Sequence, residues 1–99
     1  MIDPTQYDTS GPGKFEAEPP ETAYFYERML AGEGDYISDP DEDHVATIFH
    51  ITPEESNAFG LADDRIFLLR EDSAGFVLGT SHPNITHAEV TFRRWLGAS

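Results

Sequence analysis

Residues 44–55, "HVATIFHITPEE", constrain the fold more than any other stretch, because a strand signal runs straight into a helix start. "HVATIFHI" is rich in β-branched residues and reads as a strand. Side chains alternate along a strand, so Val45, Thr47, Phe49 and Ile51 are expected to face the core. His44, Ala46, Ile48 and His50 take the other face. Thr52 then suits a helix cap, Pro53 the first helical position, and Glu55 the third position of a capping box. Gly60 ends that short helix. A chain with this junction belongs to a mixed α and β class.

The flanking segments fill in the class. Thr22, Phe25, Tyr26, Met29 and Leu30 fall on one face at helical spacing, opened by Pro20 and stopped by Gly32 and Gly34. "RIFLLR", residues 65–70, and "GFVLGT", residues 75–80, read as two strands joined by the tight connection "EDSA". The last segment carries two periodicities. Ala88, Val90 and Phe92 alternate like a strand, whereas Ile85, Ala88, Phe92, Trp95 and Leu96 form a helical stripe. Thr86 with Glu89 as a capping box, Arg93 and Arg94 near the exit, and Gly97 favour the helix.

The expected fold is therefore α+β: a small three-stranded antiparallel sheet packed against two to three helices, with the first and last helices on one face. Phe25, Met29, Leu30, Phe49, Ile51, Leu68, Phe76, Leu78, Phe92 and Trp95 are its expected core. Residues 1–18 hold Pro4, Gly11, Pro12 and Gly13 among polar residues, and read as a flexible N-terminal segment ahead of one domain, residues 19–99. "GPGKF" within it is not a phosphate-binding loop: Asp8 stands where the first glycine belongs, and Phe15 where Ser or Thr should hold magnesium.

Charge narrows the function classes. Nineteen Asp and Glu oppose six Lys and Arg, a formal net charge of −13. Such a chain lacks the basic footprint of a nucleic-acid binder and is repelled by anionic membranes. The absence of cysteine excludes disulfides and thiolate metal sites. With no apolar run of roughly 18 residues and no secretory signal, the chain reads as cytoplasmic.

"DPDEDH", residues 39–44, is the densest acidic stretch. Asp39, Asp41 and Asp43 alternate like the first ligands of a calcium loop, but His44 replaces its glycine and His50 its bidentate glutamate. His44 and His50 are roughly 20 Å apart along an extended strand and cannot share a metal. His82 and His87 flank a turn that allows them to approach, without the spacing of a His-Glu-x-x-His helix. Ser81 beside His82 is adjacency alone. No catalytic, cofactor or metal site is expected.

The acidic residues themselves form the expected site. Glu33, Asp35, Tyr36, Asp39, Asp41, Glu42 and Asp43 lie in one loop, Glu54 and Glu55 open the short helix, and Asp63 and Asp64 follow it. Glu71 and Asp72 mark the hairpin tip. Gathered at one sheet edge, these connectors would offer an array of carboxylates to a basic protein surface, imitating nucleic-acid phosphates as small acidic inhibitors, many of them phage-encoded, do. The expected function is thus a non-enzymatic protein-binding module, an inhibitor or regulator docking on a basic and possibly nucleic-acid-binding protein. The alternatives are an accessory domain whose acidity reflects a salt-adapted proteome, and a small hydrolase or metal-dependent enzyme.

Overall fold

The computed structural model describes residues 2, 6, 19–38, 45–61, 63–71 and 75–97. The reading of residues 1–18 as a flexible segment falls almost wholly outside them. The elements run α1 (Pro20–Leu30), β1 (Asp35–Ser38), β2 (Val45–His50), α2 (Pro53–Phe59), β3 (Ile66–Glu71), β4 (Val77–His82) and α3 (Ile85–Gly97). The strands form one antiparallel sheet in the order β1-β2-β3-β4, so every strand pairs with its sequence neighbour. The fold is α+β as expected, with four strands rather than three.

The additional strand is β1, inside the stretch read as an acidic loop. "DYIS" is short and polar enough to resemble a connector, but Asp35↔Ile48 and Ser38↔Val45 pair in regular register. Gly34 delivers the chain into it. Its φ is +91°, and a Cβ there would lie 2.8 Å from both Phe49 and Thr47 side chains, so glycine alone fits.

The helices do not share a face. α1 packs Phe25 and Tyr26 against Phe49, Phe67, Leu69 and Val77. α3 packs Ala88 and Phe92 against Ala46, Ile48, Ile66 and Leu68 on the opposite side. β2 is therefore buried on both faces through Ala46, Thr47, Ile48 and Phe49, and the expectation of one core-facing set fails. α2 lies beside α1, where the Tyr24 and Phe59 rings are 5.2 Å apart.

Of the expected core, Phe25, Phe49, Leu68 and Phe92 are buried, Met29, Ile51, Leu78 and Trp95 are half-buried, and Leu30 and Phe76 are exposed. Leu30 is exposed beyond the last packed turn of α1, and Phe76 is exposed at the mouth of the hairpin. Trp95 is only half-buried against the α3 cluster. Phe76 moves because β4 begins two residues later than the apolar pattern suggests, after Gly75 at positive φ. Gly79, in mid-β4, permits the close approach of α1: a Cβ on it would stand 2.5 Å from Thr22 Oγ1 and 2.7 Å from Phe67 Cζ.

Both later helix starts are capped. Thr52 and Glu55 form the reciprocal capping box, and Gly60 closes α2 in the left-handed conformation. α3 begins earlier than the Thr86–Glu89 pattern implied: Asn84 Oδ1 accepts from the His87 backbone N–H at 2.9 Å and acts as the cap.

Candidate functional site

An antiparallel meander sends alternate connectors to opposite ends of the sheet, and this divides the acidic residues. β1 and β3 begin at the same end as β2 and β4 finish. Glu33 and Asp35 enter β1 there, α2 with Glu54 and Glu55 bridges β2 to β3 there, and Asp63 and Asp64 lead into β3 there. Glu71 lies at the other end, where Ser38 and Val45 also lie. Asp39, Asp41, Glu42, Asp43 and Asp72 lie outside the described residues. The described members thus make one five-residue group plus Glu55, and a separate Glu71.

Glu55 does not belong to the exposed array. It is 2% exposed, for a reason local to its helix. The capping box turns its carboxylate inward, where Oε1 accepts from Thr52 N–H at 2.9 Å. Its other oxygen accepts from Arg28 Nη1 at 2.7 Å. Arg28 also reaches Glu33 at 3.2 Å, and its guanidinium carbon lies 5.0 Å from the Phe49 ring centroid and 5.5 Å from that of Phe25. Arg28 is thereby drawn into the fold, tying α1 to α2 and to the start of β1.

What remains outside is mostly negative. Asp35, Glu54 and Asp63 are exposed, and Asp35 lies 4.0 Å from the exposed His50 ring. Asp64 accepts from Ser81 Oγ at 2.7 Å, which joins the approach to β3 to the end of β4. Arg65 is the exposed cation at this end. Asp63, Asp64 and Arg65, with Thr52, Ser56 and Asn57 of the α2 region, line an open cleft of about 650 Å³. At the far end Glu71 accepts from Tyr26 Oη at 2.5 Å, a bond between α1 and β3. Tyr36 projects from β1 with two thirds of its surface exposed.

The histidine pair is the polar feature that sequence spacing only outlined. His82 and His87 approach across the Pro83–Asn84 turn, with their Nδ1 atoms 2.7 Å apart. One Nδ1 must carry the proton and the other accept it. The His82 ring is buried, and its Nε2 lies 2.6 Å from Thr80 Oγ1. Its pKa is lowered from the usual imidazole value, first by burial and then by the charge of His87, while Asp64 acts in the opposite direction. Ser81 is bonded to Asp64 and not to His82, so the adjacent pair is not a nucleophile and its base. Neighbours in a strand point to opposite faces, which accounts for the separation. Among the described residues, no three His, Asp or Glu side chains converge as a metal site requires.

No protein-family model matches this chain, and no curated protein or solved structure shows significant similarity to it. No helix among the described residues is long and apolar enough to cross a membrane.

Proposed function

We propose that this chain is a non-enzymatic protein-binding module, an inhibitor or regulator that docks its acidic sheet end on a basic surface of a partner protein. One observation carries the reading. Arg28 is used internally, while Asp35, Glu54 and Asp63 stay exposed at the same end of the sheet. Side chains fixed by strand and helix ends need little ordering on binding, which favours them over the same charges on a free chain. The formal charge of −13 extends the attraction beyond the contact itself and raises the encounter rate with a basic partner. A nucleic-acid-binding groove, which is positive along its length, is the partner surface of this chemistry.

Each exposed ion pair contributes only about 0.2–1 kcal/mol, so affinity must come from several together with apolar contacts such as Tyr36. The test is affinity capture from the native host with two charge-neutralised variants. One carries Asp35→Asn, Glu54→Gln and Asp63→Asn; the other carries Asp39→Asn, Asp41→Asn, Glu42→Gln and Asp43→Asn. The reading expects a basic protein retained by the parent chain, released by salt, and lost from at least one variant that still folds. Capture unchanged in both variants would refute it.

A further inference from the structure

We infer that the outer edge of β1 is a strand-addition site for an extended, basic segment of the partner. The inference rests on the proposed docking function and specifies how the partner is held. β1 ends the sheet, so among the described residues no strand lies beside the backbone groups on its outer side. Both long helices pack on β3 and β4, leaving the β1 side of the sheet less covered than the β4 side. Natural edge strands are blunted by short length, charge, proline or a bulge. β1 is short and carries Asp35, a charge that repels an acidic strand but not a basic one; it has no proline or bulge, and "DYIS" pairs with β2 through four consecutive residues in unbroken register.

What flanks the edge selects its occupant. Tyr36 and Val45 are both exposed and lie diagonally across the β1–β2 pair on the α1 face, an apolar shelf beside the open edge. Asp35 lies on the other face, and Glu33 just before it is exposed but paired with Arg28. A second copy of this chain would bring its own carboxylates and a charge of −13 against them, so self-pairing is opposed. A strand alternating cations with β-branched residues meets both features: main-chain bonds give it affinity, and the carboxylates and the Tyr36 shelf give it preference.

The test uses a synthetic peptide alternating arginine with valine, and the same peptide N-methylated at every residue. Both carry the same charge, but the second has no N–H to donate to a ladder on either side. The inference expects the unmodified peptide to bind at least about tenfold more tightly in low salt. It also expects slowed hydrogen exchange at those amides of residues 35–38 that point away from β2, and several-fold weaker binding by Tyr36→Ala with an unchanged melting temperature. Equal, salt-sensitive binding of both peptides would overturn strand addition and leave the basic-surface reading standing. Failure of both peptides to bind in low salt would overturn the two together. Slow exchange at these amides in the free protein would mean the edge is already occupied, by the chain itself or by a second copy, and would also overturn the inference.

Discussion

Arg28 connects three elements through one guanidinium, and its two carboxylate partners differ in burial. Removing one partner of a charge pair harms most when the charge left behind cannot reach water. Arg28→Met leaves the Glu55 carboxylate buried with only the Thr52 N–H, so it should cost roughly 2–3 kcal/mol in urea unfolding. Glu55→Gln keeps an acceptor for the cap and leaves Arg28 part-exposed beside Glu33, so it should cost about 1 kcal/mol. Equal costs would mean that Glu55 is not held as described. Thr22 and Gly79 make the second residue-scale case. Thr22 Oγ1 is buried with no hydrogen-bond partner among the described residues, against the place where a Gly79 Cβ would stand. Gly79→Ala should destabilise by about 1–3 kcal/mol through overpacking, and adding Thr22→Ala should recover part of it. Strict additivity in that double-mutant cycle would show that α1 does not approach β4 there.

At the scale of elements, the β4–α3 junction is held by Asn84 and by the His82–His87 pair, and protonation of His82 in mild acid should cost stability. The folded pKa of His82 lies below its unfolded value near 6.5, so the unfolded chain binds the extra proton. Stability from this group is intact above about pH 6.5 and declines as the pH falls below it. Between about pH 7 and 5, His82→Gln should therefore show a shallower loss of stability than the parent chain, measured by urea midpoints. An identical slope would mean that His82 is not held neutral. The elements differ in how clearly the sequence announces them. α2 is written in local chemistry, since Thr52, Pro53, Glu55 and Gly60 each act on their own helix, and its bounds follow directly. α1 and α3 follow from apolar spacing. β1 does not, because Asp35, Tyr36 and Ser38 stay exposed at an edge and carry no alternation that burial would impose. The two-sided placement of the helices is also hidden until the sheet forms, although the continuous run Ala46–Phe49 is the pattern of a strand covered on both faces.

For the molecule as a whole, the acidic balance is plain in the composition, but its arrangement depends on topology. A sequence reading gathers all connectors at one edge; the meander separates them by the parity of the strands they join, which single segments do not encode. Glu55 also leaves the array, because a capping glutamate that meets an arginine from another helix is buried, and only tertiary packing supplies Arg28. Asp35 with Glu54 and Asp63 is what survives as an exposed negative face, while Glu33 beside them is paired with Arg28. Long-range attraction acts on encounter, so the ionic-strength dependence of the association rate with the captured partner tests the docking proposal most directly. Docking through the carboxylates requires a rate that falls steeply with salt for the parent chain and a flatter dependence for at least one of the two neutralised variants, with the curves converging at high salt. A rate insensitive to salt, or the same slope for the parent and for both neutralised variants, would contradict docking.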